Sequence, residues 1–465
     1  MGASPADLRR IAPAARSAIL PEEVTMSDAP PAADGLKRNV GLFGVVSLGL
    51  GTAVGVSIFS ILAPAAAVAG PAMLVSMVIA IVPMIVFALI YSFMGAAAPA
   101  TGASFEWPRR FVHPFAGFII SWMRIAGSTA ALIVLTMVLV SYMSSLIALP
   151  TKLVMFGIFA AIFLINLAGV SFVARSQAVM LVILLATCAV FVFGGAGHVE
   201  PANFQPFADK GILGILAAIP LLISLFLGIE SATEVGGEVR NPRRNIPLGI
   251  GISVALTAAI YFGVAVIAIG ILGAAALGAS SAPLLDAALV SLGEGGRALI
   301  LVCAFVAIGS SINATFVIMT RFLYAMSRAG MLPSFLGKTN EARGIPQNAV
   351  FLAFGLCCLG LFMPQNLVFL FLAVNIPTIL KYAATCLAAI GLCRREPELR
   401  AAASFSLPAN IVYALAGAGI VLGFLIILLG ISADWRPYVL LGGWATLGIA
   451  YYLFYLRPRG AGTAP

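Results

Sequence analysis

Charged residues and histidines are scarce in this chain. Asp, Glu, Lys and Arg make up 9% of its 465 residues, two residues are histidine, and 62% are hydrophobic. So few charges could not cover the surface of a soluble protein of this length. We therefore expect lipid to be its main solvent.

Motifs for enzymatic chemistry are missing as well. Neither His113 nor His198 lies in a zinc-ligand spacing or a Ser-His-Asp set, no nucleotide-binding loop stands out, and the six cysteines form no CxxC pair. We therefore expect no enzyme, no metal site and no cofactor.

The chain has instead a series of long apolar stretches. A run of roughly 20 apolar residues can cross the hydrocarbon core of a bilayer as an α-helix. The sequence therefore predicts an all-α integral membrane protein with twelve transmembrane helices. The twelve stretches lie near residues 40–68, 71–95, 114–147, 151–169, 177–197, 211–238, 247–273, 296–329, 348–363, 366–393, 408–431 and 436–456.

The basic residues predict the orientation of these spans. If the chain starts inside the cell, 20 of its 26 Lys and Arg residues fall on the inner side, four fall on the outer side, and Arg124 and Lys381 fall within spans. This excess follows the positive-inside rule. We expect an inner (plasma) membrane protein with both termini cytoplasmic. The net charge of +9 then reflects topology, and nucleic acid is not an expected partner.

The spans divide into two halves of five. Because five is odd, the second half must enter the membrane from the opposite side, which makes the halves inverted repeats. The N-terminal residues are rich in Ala and Pro and predict a disordered tail, within which Met26 is the expected native start. The predicted divisions are a cytoplasmic tail at 1–38, repeat one at 39–197, repeat two at 198–393, two further spans at 394–456 and a cytoplasmic tail at 457–465.

Glycines interrupt the first span of each half at a similar depth, within residues 49–59 and 226–237. Lipid cannot hydrogen-bond the backbone groups that such a break frees, so breaks persist where they line a cavity, as in transporters with broken helices. A single glycine could serve only close helix packing. Two clusters at equivalent depth, with Thr52, Ser57 and Glu230 among them, favour a substrate site in a secondary transporter.

Four motifs carry a family resemblance. They are Val-Gly-Val-Ser-Ile-Phe at 54–59, Gly-Ile-Glu at 228–230 followed by the basic segment 237–247, Pro-x-x-Gly with an aromatic residue at 99–105, and Ser-Ser-Ile-Asn-Ala-Thr at 310–315. Together they resemble the amino acid–polyamine–organocation (APC) superfamily of permeases over about residues 36–456. The resemblance implies a LeuT-type fold, a 5+5 inverted repeat in which helices 1 and 6 are discontinuous.

The resemblance also implies a substrate site built from backbone groups. The amides of three residues at the start of the outer half of helix 1 would bind the substrate carboxylate. Carbonyls of the unwound segments would bind its ammonium group, and an aromatic residue would form a lid or wall. The amides belong to Gly55, Val56 and Ser57, the carbonyls to Ala53, Ser224 and Leu227, and the aromatic ring to Phe226; Val54, Gly228 and Glu230 complete the implied site.

One departure from the family concerns the coupling ion. Proton-coupled relatives carry a lysine in helix 5 whose ammonium replaces a sodium ion between helices 1 and 8, whereas the matching residue here is Leu184. The resemblance therefore does not supply a coupling group. Protons remain the main candidate ion, and sodium near Ser310 and Ser311 is a weaker one.

Four ionisable residues fall at membrane depth, where each is costly unless paired or hydrated. Glu230 is expected to act in substrate binding or proton linkage, or to stabilise the unwound backbone. Glu234 is expected one helical turn after Glu230 and on the same face. The alternatives for it are a second proton site, a counter-charge for a cationic substrate, and an ionised group in a water-filled inner vestibule. Arg124 is expected to pair structurally, with a carboxylate or with helix carbonyls, and is also a candidate coupling group. Lys381 is expected to pair, to snorkel or to replace the missing lysine.

The sequence thus predicts a permease that moves an amino acid by alternating access, either ion-coupled or as an exchanger. An alternative on the same fold is a polyamine or ethanolamine permease, which the extra carboxylate at Glu234 favours. A channel and a non-transporting nutrient sensor are further alternatives. The expected partners are a small-molecule substrate and the lipid bilayer, and the oligomeric state is left open.

Overall fold

A computed structural model describes residues 40–53, 57–144, 150–168, 170–280, 282–340, 345–431 and 434–457. Within these ranges the chain is helical and forms no β-strand beyond isolated bridges. The α-helices are α1 (Leu42–Ala53), α2 (Ser57–Ser60), α3 (Leu62–Ala69), α4 (Met73–Ala97), α5 (Ala103–Phe111), α6 (Pro114–Ser144), α7 (Thr151–Ala168), α8 (Val170–Gly195), α9 (Gly211–Ile223), α10 (Pro242–Leu272), α11 (Ala274–Ala279), α12 (Pro283–Arg328), α13 (Gln347–Gly360), α14 (Leu367–Arg395), α15 (Pro397–Ala401), α16 (Ala409–Ile431) and α17 (Arg436–Tyr451).

The helices are those of a multi-pass membrane protein. In the described part of the chain, nine spans are long and apolar enough to cross a bilayer, and three shorter apolar helices, at Thr151–Leu167, Gly211–Phe226 and Gln347–Gly360, accompany them. Large apolar side chains also face outward, and Phe193, Phe362 and Phe454 are each at least 80% exposed. An exterior of this kind suits lipid and not water.

Two helical segments were not anticipated from hydropathy. Helix α5 is short and carries charged residues, and it begins directly after Gly102, whose φ of 68° suits glycine. Helix α12 begins at Pro283, well before the predicted span at 296, and it is interrupted at Gly293, where φ is 64°. Residues 103–111 and 283–292 are each too short to form a long apolar run, so hydropathy alone does not detect these two segments.

The break in the sixth predicted span is confirmed. Helix α9 ends at Ile223, and α-helix resumes only at Pro242. Between them the chain makes short 3₁₀ turns, an extended residue at Leu227, and a glycine at Gly228 whose φ is 107°. We call residues 224–238 the unwound segment. The corresponding break in the first span concerns Val54, Gly55 and Val56, which lie outside the described residues.

Close helix packing depends on small residues. The Cα of Gly391 in α14 lies against α5, and a Cβ at this position would collide with the backbone carbonyl oxygen of Phe111. A Cβ on Gly127 of α6 would come within 3.1 Å of the Pro377 ring in α14. Helix α14 therefore packs closely against both α5 and α6.

We expect Gly391→Ala to lower the free energy of unfolding by about 1–3 kcal/mol, because a backbone oxygen cannot move aside as a side chain could. The matched control is Gly355→Ala in α13, where nothing lies within 4 Å of the new Cβ. That variant should gain about 0.5–1 kcal/mol from better helix propensity. Melting temperatures of the detergent-purified variants test this, and equal shifts would contradict the packing described.

Candidate functional site

A cavity of about 100 Å³ lies where the unwound segment meets helices α1, α2, α6, α12 and α14. Its wall combines polar side chains with apolar ones and includes the backbone of the unwound segment. The lining residues are Thr52, Ser57, Arg124, Gly127, Ser128, Ala131, Val134, Leu135, Ser224, Leu227, Gly228, Glu230, Ser231, Thr315, Ile318, Phe371, Val374, Asn375 and Thr378.

Side chains from neighbouring helices hydrogen-bond the start of the unwound segment. The Ser57 hydroxyl donates to the Ser224 carbonyl oxygen at 3.1 Å, and the Asn375 amide donates to the Ser224 hydroxyl at 2.9 Å. The Gly228 amide donates to Glu230 Oε2 at 3.1 Å. The Ser57 and Glu230 contacts satisfy two backbone groups that the break leaves without helical partners, as a membrane interior requires.

Glu230 and Lys381 form a buried ion pair at the edge of this cavity. Their side chains are 4% and 1% exposed, and Lys381 Nζ contacts Glu230 Oε1. The Tyr382 hydroxyl donates to the other carboxylate oxygen at 2.6 Å. Lys381 Nζ also lies 5.0 Å and 5.7 Å from the ring centroids of Tyr382 and Tyr91. Both oxygens of Glu230 are therefore occupied by groups of the protein itself.

Arg124 projects from α6 into the same cavity and makes fewer contacts with polar groups of the protein than Lys381 does. Its Nη1 donates to the Thr378 hydroxyl at 3.2 Å, and its guanidinium carbon lies 6.0 Å from the Phe322 ring centroid. Its Nε is buried and makes no hydrogen bond within the described part of the chain. No carboxylate among the described residues forms an ion pair with it, in contrast to Lys381.

The described residues of helix 1 are anchored by their carbonyls. The Tyr261 hydroxyl donates to the Ala53 carbonyl oxygen at 2.6 Å, and the Ser311 hydroxyl donates to the Gly51 carbonyl oxygen at 2.5 Å. Ser310 is also buried. Helix α1 therefore ends beside α10 and α12 with its last carbonyls already accepting hydrogen bonds.

A comparison with known families decides what kind of protein carries this site. The profile described as "Amino acid permease" matches residues 40–447, which is most of the chain. The chain belongs to this amino acid permease family. It is a member of the APC superfamily, and it is a transporter and not an enzyme.

Curated relatives resemble the permease along most of its length. It is 27% identical to the methylthioribose transporter of Bacillus subtilis (strain 168), over 91% of this chain and 94% of the relative. It is also 27% identical to the branched-chain amino acid permease BcaP of the same organism, with the same coverage. The aspartate-proton symporter of that organism is 26% identical over 69% of this chain and 66% of the relative.

Five of the expected binding residues line the cavity of the permease. They are Ser57, Ser224, Leu227, Gly228 and Glu230. Two others lie away from it. Phe226 is fully buried and packs edge-on against Tyr261, with ring centroids 6.1 Å apart, so it forms no wall of the cavity. Ala53 is also absent from the lining, and Tyr261 occupies its carbonyl. Val54, Gly55 and Val56 lie outside the described residues.

The expectation for Glu234 needs correction. Glu234 is 1% exposed, so it faces protein and not a water-filled vestibule in this structure. Its carboxylate instead accepts the Ser104 amide at 3.2 Å and contacts the Ser104 hydroxyl, at the start of α5. Helical periodicity predicts Glu230 and Glu234 on one helix face. The segment forms 3₁₀ turns instead, and these two carboxylates bond to different helices.

Lys381 and Leu184 are both buried. Snorkelling is excluded for Lys381, because it is 1% exposed and paired with Glu230. Leu184 of α8, which the family resemblance matches to the lysine of proton-coupled relatives, is an apolar core residue, 3% exposed. The structural pairing expected of Arg124 reaches only the Thr378 hydroxyl, among described residues.

Sequence reasoning missed the polar face of α14. Asn375, Thr378, Tyr382 and Thr385 are spaced three or four residues apart in an otherwise apolar helix, and all four are buried. They bond to Ser224, Arg124, Glu230 and Tyr91. Helical periodicity of polar residues in a membrane span was the signal that could have found them.

We expect Glu230→Gln and Lys381→Met to lower the free energy of unfolding by about 3–5 kcal/mol each, because each leaves the other charge buried without a partner. The double variant should recover most of that loss. The control is the exposed pair Arg110–Glu396, whose side chains are 49% and 32% exposed and whose removal should cost no more than about 1 kcal/mol. Melting temperatures test this, and a double variant no better than the worse single one would contradict a paired charge.

Proposed function

We propose that this permease is a secondary active transporter that moves an amino acid, or a closely related organic solute, across the inner (plasma) membrane by alternating access. The observation that supports this is the unwound segment, whose backbone lines a cavity enclosed by five helices. Non-helical backbone at membrane depth is tolerated where it lines such a cavity. Relatives named for amino acids and methylthioribose agree with a small organic substrate.

We further propose the architecture that the family resemblance implies. The three shorter apolar helices would join the nine longer spans to give twelve, arranged as two inverted repeats at 39–197 and 198–393 with two added spans. Both termini would face the cytoplasm, following the distribution of basic residues. The unwound segment would then interrupt the first span of repeat two, as the break expected within residues 49–59 would interrupt the first span of repeat one, and the cavity would be the substrate site.

We propose protons as the coupling ion, with the Glu230–Lys381 pair as the coupling group in a chain that lacks the helix 5 lysine of its relatives. The charged and titratable groups around Glu230 are Lys381 and Tyr382 of α14, Tyr91 of α4 and Arg124 of α6. A proton added to the Glu230 carboxylate would remove one charge of the ion pair. That change would loosen the link between the unwound segment and α14, which is where alternating access needs movement.

The structure does not favour the amine permease alternative. That alternative depended on a second carboxylate beside the substrate, and Glu234 bonds to Ser104 instead. Glu230 is occupied by Lys381, Tyr382 and the Gly228 amide. No other Asp or Glu lines the described cavity to bind a polyamine.

We expect Ala131→Phe to abolish uptake of radiolabelled amino acids into proteoliposomes, because the ring would fill a cavity of about 100 Å³. The control is Ala414→Phe, the same substitution on an exposed position of α16. It should leave uptake unchanged. If both variants transport normally while retaining the wild-type melting temperature, the substrate does not pass through this cavity.

A further inference from the structure

The charged side chains of the cavity do not balance. Glu230 contributes one negative charge, and Lys381 beside it contributes one positive charge. Arg124 adds a second positive charge that no carboxylate among the described residues pairs with. When Glu230, Lys381 and Arg124 are counted together, the cavity therefore carries a net charge of +1. A charge at membrane depth is costly without a counter-ion, so the site is suited to an anion.

The N–H groups of the Arg124 guanidinium that make no described hydrogen bond can bind the anion at a defined position. A guanidinium has five N–H donors in a planar fork, and the geometry favours two parallel bonds to a carboxylate. The described contacts occupy one of these donors, the Nη1 bond to Thr378. Ser128 of α6 and Asn375 of α14 line the same space and can complete the hydrogen bonding of a carboxylate.

We propose that Arg124 is the specificity-determining residue of this permease and that its substrate is an acidic amino acid, which carries a side-chain carboxylate and a net charge of −1. This proposal depends on the transport function proposed above and names its substrate class. A neutral amino acid would bring one negative and one positive charge and would leave Arg124 uncompensated. An acidic amino acid makes the occupied cavity neutral.

The charge pattern also explains why a cationic substrate is disfavoured. Both oxygens of Glu230 already accept bonds from Lys381, Tyr382 and the Gly228 amide. A basic amino acid or polyamine would therefore meet Arg124 without a free carboxylate beside it. The predicted order of affinity is acidic over neutral over basic amino acids.

The test compares isosteric ligands on the purified full-length protein. Thermal stabilisation is measured with L-glutamate and L-aspartate, with their amides L-glutamine and L-asparagine, and with L-lysine and putrescine. We expect the acidic amino acids to bind at least tenfold more tightly than their amides, which differ only in the side-chain charge. Equal affinity for glutamate and glutamine, or tighter binding of glutamine or lysine, would overturn the proposal.

Substitutions at Arg124 then identify the residue responsible. Arg124→Gln should lose at least tenfold in affinity for L-glutamate and change little for L-glutamine. Arg124→Lys should keep part of the preference, because it keeps the charge without the planar fork. Arg297→Gln, which removes an arginine outside the cavity, is the control and should bind as the wild type does. An unchanged glutamate preference in Arg124→Gln would refute the assignment.

Uptake into proteoliposomes separates this proposal from the transport function itself. Saturable uptake of L-leucine without uptake of L-glutamate would overturn the acidic substrate and leave a permease. Binding of L-glutamate without any uptake would support the site and contradict transport. If Arg124 variants do not fold, the wild-type comparison of glutamate with glutamine still decides the substrate class.

Discussion

Backbone groups in a bilayer must be hydrogen-bonded within the protein, and this constraint governs the site of the permease. Where α9 ends, the chain leaves the helical pattern until α10 begins, so its amides and carbonyls need other partners. Ser57 bonds to a carbonyl of this segment, and the Glu230 carboxylate to one of its amides. Part of the polar face of α14 meets the same need, because the Gly228 amide donates to the Tyr382 hydroxyl at 3.4 Å and Asn375 bonds to the Ser224 side chain.

The Glu230–Lys381 pair also holds the unwound segment in place, and it determines which charge of the cavity is available to a ligand. In a buried ion pair, the attraction between the charges is offset by the cost of removing both from water, so the pair is weak evidence of stability. It does hold the two side chains, and the segments that carry them, in one arrangement. It links the unwound segment to α14 and occupies the only carboxylate that lines the described cavity. Arg124, which faces the same cavity from α6, is therefore the charge that a ligand meets. Support of the break and recognition of the ligand thus come from different charged groups.

Much of this arrangement could be predicted from the sequence, because hydropathy and glycine placement are local signals. The apolar stretches, the break near Gly228 and the position of Glu230 beside that break all followed from them. The partner of Glu230 did not, since Lys381 is 151 residues away and only the folded chain brings them together. Glu234 was misassigned because helical periodicity was applied to residues that form 3₁₀ turns. Helix α5 is too short and polar for hydropathy to predict it as a span, although its first residues hydrogen-bond the Glu234 carboxylate.

The most direct test of this account is a structure of the permease determined by electron cryo-microscopy in lipid nanodiscs with L-glutamate. The account predicts ligand density in the cavity between Arg124 and the unwound segment, with a carboxylate on the guanidinium and the Glu230–Lys381 pair in contact. Ligand density elsewhere, such as in the larger arginine-lined cavity beside Arg109 and Arg328, would contradict it. A ligand that binds Glu230 in place of Lys381 would contradict it as well.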